Sequence, residues 1–315
     1  MSHEIETMAY AGELPWHGLG EKVSNDLNTD QMLQKAGLDW EVAEVESYVD
    51  YNGEQIKTGQ KSLIRSTDHK ILTNTGKDWH PVQNQEAFDF FSEFVLAGDM
   101  EMHTAGSLKG GQIVWALAKI KESFDVFGDD KVDSYLLFSN PHMYGKSIDI
   151  RFTPIRVVCN NTLTLSLGME AAKAVKLGHR TEFRPDNVKE TLGLASEKFA
   201  KYKEMAEFLG SKKYNIESLI RYYNDVFPRT SGEVDVNNSE TLHRAGKQAF
   251  DAILTQPGAK YAEGSWWQAL NSVTYITDHV QGRNNDTRMA SNWFGGNQLR
   301  KVRAAEKAVE YAMGS

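Results

Sequence analysis

The sequence predicts an α+β fold: an antiparallel β-meander with packed helices, followed by a mainly helical C-terminal half. Two observations predict it. In the first half, apolar and polar residues alternate, or β-branched residues run together, between turn residues. From Asp186 onward the apolar spacing becomes helical, with breakers such as Pro228, Ser231-Gly232 and Pro257-Gly258 between segments. The expected organisation is a body over residues 1–185 that holds the sheet, and a helical region over 186–315, packed on the same core or beside it.

Residues 1–20 read as an irregular segment ending in PWHGLG. Thr29 is placed to cap a short helix over 30–36, stopped by Gly37. The run WEVAEVESYVDY alternates as a half-buried strand does, and Asn52-Gly53 supplies a hairpin turn. A return strand over 55–65, a turn at Asp68-His69 and a short strand over 70–74 follow. Over 83–97, Phe88, Phe91, Phe94 and Val95 share a helical face, and Gly98 ends the helix. Strands are expected over 112–120, 132–140 and 146–153, with a turn at Gly128-Asp129-Asp130 and with Trp115, Leu117 and Leu137 turned into the core. Pro154 is expected to break the strand or open a helix, and residues 155–174 fit either element. Asp186 caps a long helix over 187–209 that Gly210 stops. Further helices are expected near 215–226, 239–254, 265–281 and 298–312.

Composition narrows the function classes. The 315 residues are 40% hydrophobic and 25% charged, enough for a packed core and against a wholly disordered chain. No apolar run approaches the roughly 18 residues of a membrane helix. The N-terminus has neither a basic segment nor an apolar one after it, so no secretory leader is expected and the expected location is the cytoplasm. A single cysteine, Cys159, excludes an internal disulfide and a cysteine-rich zinc module. The net charge of -8 hides an asymmetry: residues 1–140 carry 11 Lys+Arg against 24 Asp+Glu, and residues 141–315 carry 24 against 19. Such a difference is read either as a polyanion-facing surface in the second part or as ordinary solvated faces.

The usual signatures of nucleotide and metal chemistry are missing. There is no G-x-x-x-x-G-K-[ST] loop, no G-x-G-x-x-G between strand and helix, no H-E-x-x-H and no G-x-S-x-G. The nine histidines are scattered, and no carboxylate pair marks a metal-dependent nuclease. No cofactor, metal or catalytic residue is therefore expected, although weakly marked nuclease sites leave the enzyme question open.

Three groups of residues remain as candidates for binding. In AGSLKGGQIVW, Gly106, Gly110 and Gly111 make a tight connection with Lys109 at its tip, either a phosphate-approaching turn or an ordinary hairpin loop. In the most basic stretch, Arg151, Arg156, Asn160, Lys173, Lys176 and Arg180 can pair with phosphates, or Arg156 can form a buried salt bridge and the asparagines a turn. Near the end, Arg300, Arg303 and Lys307 share a helical face, as a phosphate-tracking ridge or a solvated side. Among the aromatics, Trp16 and Trp293 sit beside glycines that leave a ring open for stacking, whereas most tryptophans are expected in the core.

The blocks PWHGLG, AGLDW, AGSLKGGQIVW, TPIRVVCNNTLTLSL, SWWQALNSVTYITDHV and KVRAAEKA occur in an order that resembles a phage- and plasmid-associated family of unknown function, number 932 in its series. The resemblance spans nearly the whole chain. It implies a mobile-element setting inside a host cell, with DNA metabolism or host takeover as the role, and brings no established reaction or catalytic residues. By fold-level analogy, phage strand-annealing proteins bind single-stranded DNA without a nucleotide cofactor, through a meander packed on a helix, a basic groove and oligomeric rings.

The leading expectation is thus a recombination-type protein that binds single-stranded DNA or RNA at Lys109, Arg151, Arg156, Asn160, Lys173, Lys176, Arg180, Arg300 and Arg303. A homo-oligomer and contacts with host or phage replication proteins go with it, and no membrane does. The alternative is an accessory protein that binds a host protein, with its basic residues tied up in salt bridges and an exposed apolar patch instead.

Overall fold

A computed structural model describes residues 5–12, 20–97, 100–156, 161–162, 186–282 and 285–314. The fold is α+β, with antiparallel sheet in the N-terminal half and helices in the C-terminal half. A seven-stranded sheet has the order β10-β9-β8-β7-β6-β1-β2. Its strands are β1 (Ile5–Ala11), β2 (Glu21–Val23), β6 (Met100–Leu108), β7 (Ile113–Asp125), β8 (Lys131–Pro141), β9 (Asp149–Arg156) and β10 (Asn161–Thr162). The run β7 to β9 is the expected meander, which β6 and β10 extend on either side. A second sheet, β3 (Val42–Tyr51), β4 (Glu54–Arg65) and β5 (Ile71–Gly76), has three strands. The chain divides into two compact units, one of Met1–Lys121, Tyr135–Arg151 and Ser166–Ala195, the other of Glu122–Ser134, Phe152–Leu165 and Ser196–Ser315.

In the first unit, β1 corrects the expectation of an irregular start, and β6 corrects that of a glycine connection. Gly106 lies inside β6, where an added Cβ would collide with the Thr7 carbonyl of β1. The glycine is there for close strand approach, which a turn reading of the same residue misses. Helix α1 (Thr29–Lys35) begins one residue earlier than expected, because Asn28 and Gln31 form a capping box and Asn28, not Thr29, caps it. Helix α2 (Asn84–Ala97) packs on α1 and β6. Asn84, at its start, is buried and donates to the carbonyls of Leu38 and Trp40 while its Oδ1 meets His142 Nε2 at 2.9 Å. The core holds Met32, Leu33, Phe88, Trp115, Leu117 and Leu137.

The hairpin of β3 and β4 turns at Asn52-Gly53, both with positive φ, as a two-residue turn matched to strand twist needs. Pairing of Glu46 with Lys61 and Tyr48 with Lys57 places Glu44, Glu46, Asp50, Lys57 and Lys61 on one face of this sheet. There, Glu44 meets Lys61 and Glu46 meets Lys57. The opposite face presents Val45, Val49, Tyr51, Ile56 and Ile71, each between 44% and 65% exposed.

In the second unit, β9 runs through Pro154 instead of breaking there. Pro154 immediately precedes Ile155 and Arg156, the two residues of β9 that β10 pairs. Helix α3 (Asp186–Ser211) likewise passes through Gly210, where an added Cβ would collide with the Phe127 ring; the glycine serves packing, not termination. The other helices are α4 (Ile216–Val226), α5 (Arg244–Ala252), α6 (Trp266–Tyr275), α7 (Asn285–Phe294) and α8 (Gly296–Met313). Two expected helices are shorter than their periodicity implied. The one near 239–254 is a 3-10 turn at Ser239–Thr241 followed by α5. The one near 265–281 is α6 followed by a π-helical turn over Ile276–Val280. The core between α4, α6 and α8 is aromatic: Trp266 stacks on Tyr311 at 5.3 Å, and the Tyr222 hydroxyl donates to the Ala304 carbonyl.

Candidate nucleic-acid interface

Lys109 and its glycines come first along the chain. Lys109, Gly110 and Gly111 all have positive φ between β6 and β7, and Lys109 is exposed. The backbone bends tightly, but the concave side is already filled. An added Cβ at Gly110 would collide with the Lys70 ammonium, and one at Gly111 would meet Arg65 Nη1 at 2.8 Å. Arg65 is itself spent: it pairs with Glu6 through Nη1 (2.6 Å) and Nη2 (2.9 Å) and with Asp68 through Nε (2.9 Å) and Nη2 (2.6 Å). It also lies 5.5 Å from the Trp40 ring. Its hydrogen bonds hold the Glu6 and Asp68 carboxyls below their ordinary range. These glycines accommodate an internal ion-pair cluster of the first unit.

Arg151 donates through Nε to Asp149 Oδ2 at 2.6 Å and is half-buried. Asn160, Lys173, Lys176 and Arg180, together with the Arg156 side chain, lie outside the described residues. So do Phe91, Phe94 and Val95 as side chains, and Trp16. The other expected stacking ring, Trp293, is buried within α7 rather than open beside its glycines, because α7 and α8 pack together there. Trp79, Trp115, Trp266 and Trp267 are core residues as expected.

The C-terminal group is better placed. Along α8, Arg303 is exposed, Lys307 pairs with Glu310 at 2.7 Å, and Arg300 is half-buried. Arg300 lines a cavity of ≈ 500 Å³ within the second unit. Phe227 and Pro228, at the end of α4, form the apolar side; the Arg300 guanidinium lies 5.3 Å from the Phe227 ring. The N-terminus of α5 also lines it, with His243 and Arg244 exposed and Gln248 half-buried, as does Gln281 after the π turn. Among the described residues no carboxylate lines it.

Each part has a local cause. His243 caps α5: its Nδ1 accepts the Ala245 N–H at 3.2 Å, so the neutral ring carries its proton on Nε2. Arg288 anchors the chain after the π turn by donating to the carbonyls of His279 (2.6 Å) and Gln281 (2.5 Å). Arg300 donates to Asn297 Oδ1 at 3.0 Å, and Asn297 in turn donates to the Thr277 carbonyl. Burial alone holds the Arg300 guanidinium below its ordinary value, with no acidic neighbour to offset it. Among the described residues neither Arg244 nor Arg300 has an acidic partner. A second cavity of ≈ 490 Å³, beside Arg221 and Arg229, also contains Asp225 and Glu233, so its charges offset one another.

Sequence reading found Arg300 and missed His243 and Arg244. The only signal for them is a stretch from Thr241 to Phe250 that contains three basic or imidazole side chains and no acid. Among the described residues no group of three His, Cys, Asp or Glu is arranged to hold a metal ion, and no helix is long and apolar enough to cross a membrane.

The family described as Domain of unknown function (DUF932) matches residues 71–306, about three quarters of the chain. No curated protein and no solved structure matches it.

Proposed function

We propose that this chain, which belongs to the DUF932 family, binds single-stranded nucleic acid in the service of a mobile element, with strand annealing as its activity. The observation that carries the reading is the cavity with two arginines, Arg244 and Arg300, and no carboxylate among its described lining residues. Two guanidinium groups without acidic partners are the standard means of holding phosphate oxygens. Arg300, propped over Phe227, offers a planar cation of the kind on which an unstacked base rests. A duplex hides its bases and cannot use such a cavity, which is why a single strand fits better. The arginine-rich cavity also explains how a chain of net charge -8 can take a polyanion: the attraction is local.

The test is a fluorescence-anisotropy titration with single-stranded and duplex oligonucleotides at two salt concentrations. Tighter binding of the single strand is expected, without ATP or a divalent metal. Arg244→Ala and Arg300→Ala should each weaken it and flatten the salt dependence by roughly 0.7 in log–log slope per lost contact. An unchanged affinity in the folded double variant overturns the reading.

One observation favours a second reading, a protein-binding accessory factor. The apolar face of Val45, Val49, Tyr51, Ile56 and Ile71 is larger than scattered surface residues require. Tyr51→Ser with Ile56→Ser should then abolish capture of a host protein and leave anisotropy with oligonucleotides unchanged.

A further inference from the structure

The arginine cavity has a feature that a site for the interior of a strand does not need, an excess of positive charge. An internal phosphodiester carries one negative charge. Arg244 and Arg300 supply two positive charges, and the N-terminus of the nine-residue helix α5 adds about half a charge through its aligned peptide dipoles. The His243 cap uses the Ala245 N–H, and the other first-turn N–H groups of α5 remain as donors. The Nε2–H of the neutral His243 ring and the amide NH2 groups of Gln248 and Gln281 are further donors among the lining residues. A phosphomonoester matches this set: it carries about -1.5 to -2 at neutral pH and presents three terminal oxygens. The volume of ≈ 500 Å³ is also that of a small-ligand pocket, enough for one nucleotide unit.

We infer that the cavity between Phe227, the N-terminus of α5 and Arg300 is a phosphomonoester site, which reads the phosphorylated end of a nucleic-acid strand. The inference rests on the nucleic-acid reading for the identity of the strand, and on the cavity alone for the phosphate. Arg300 stands against the apolar wall of Phe227 and Pro228, so it is placed for the terminal sugar or base. Arg244, which is exposed, and the helix N-terminus line the same cavity and are assigned to the phosphate. Recognition of an end distinguishes this site from a groove that tracks a backbone, because a groove is indifferent to where the strand stops.

Four oligonucleotides of one sequence test it by anisotropy: 5′-phosphorylated, 3′-phosphorylated, doubly hydroxyl-ended, and circular. The full chain should bind one phosphorylated form at least tenfold more tightly than the hydroxyl-ended and circular forms. In Arg244→Gln that preference should fall below twofold. A nucleoside monophosphate should compete for the preferred end and raise the thermal midpoint of the protein, and the matching nucleoside should do neither. Equal affinity for all four oligonucleotides, with no effect of the monophosphate, overturns the inference while leaving single-strand binding intact. Thermal stabilisation by the monophosphate without binding of any oligonucleotide upholds the phosphate site and overturns the nucleic-acid reading. Stabilisation by inorganic phosphate that equals that of the monophosphate shows that the site reads phosphate alone and overturns the strand-end assignment.

Discussion

Replacing Lys301 by Met will test how the second unit is held together. Lys301 in α8 and Asp278 in the π turn pair at 2.7 Å with side chains 0% and 1% exposed. At that distance and an effective dielectric constant of about 20, the attraction is about 6 kcal/mol. Taking two ions out of water costs several kcal/mol each, so the pair roughly cancels against its own burial. The two single variants must therefore behave differently from the double one. Lys301→Met or Asp278→Leu alone strands a buried charge and should lower stability by about 3–5 kcal/mol. Lys301→Met with Asp278→Leu should stay within about 1 kcal/mol of the parent or exceed it. Urea unfolding followed by circular dichroism reads all three. The pH dependence gives an independent check. Burial holds the Lys301 ammonium below its ordinary value, so the unfolded chain binds this proton more tightly than the folded one. Stability of the parent should accordingly rise, relative to the double variant, as the pH climbs towards the ordinary lysine value of about 10.4. A double variant as unstable as the singles, or a single variant that loses less than about 1 kcal/mol, would refute this reasoning.

Three further outcomes follow from the packing. Gly106→Ala forces a Cβ into the Thr7 carbonyl, and since that atom belongs to the β1 backbone, β1 must leave β6; a loss of about 3 kcal/mol in urea unfolding is expected. Gly210→Ala gains about 1 kcal/mol of helix propensity but collides with the Phe127 ring, so a net loss of about 1 kcal/mol is expected, whereas Gly193→Ala, with nothing near its Cβ, should raise stability by up to about 1 kcal/mol. Glu6 and Asp68 are held below their ordinary values by Arg65, so their stabilisation is full above about pH 5 and is lost as the pH falls through their folded values; Arg65→Met should flatten the fall in stability below about pH 5, as urea unfolding at a series of pH values would report.

The elements legible in the sequence are those with a strong local signal. Val42 to Tyr51 alternate, Asn52-Gly53 turns, and the hairpin forms where expected, although its apolar face is exposed and not half-buried as the alternation implies. Phe88 marks α2, and Trp115, Leu117 and Leu137 are in the core. Glycine is where reading and structure part. Gly106 and Gly210 look like breakers, yet each sits inside an element because a neighbour, the Thr7 carbonyl or the Phe127 ring, occupies the place of a side chain. That neighbour is distant in sequence, so no local rule can find it. The π turn is hidden for a related reason. Ile276 to Val280 continue the apolar period of α6, and only the Gln281 N–H to Ile276 carbonyl bond at 2.8 Å shows the wider turn.

The same distinction governs the candidate site. A count of basic residues near the C-terminus treats Arg300, Lys301, Arg303 and Lys307 as one run, and helical spacing separates Lys301 from the others. What spacing cannot tell is which charges are already met. Lys301 is buried on Asp278, Lys307 is paired with Glu310, and Arg300 has an amide, an aromatic ring and no acid. Arg244, some fifty residues earlier, becomes its neighbour in the cavity only because α5 and α8 are parts of one helical unit. A binding site for an anion is defined by positive charge left over after internal pairing. Charge content is written in the sequence, but the pairing that decides what is left over is a property of the fold.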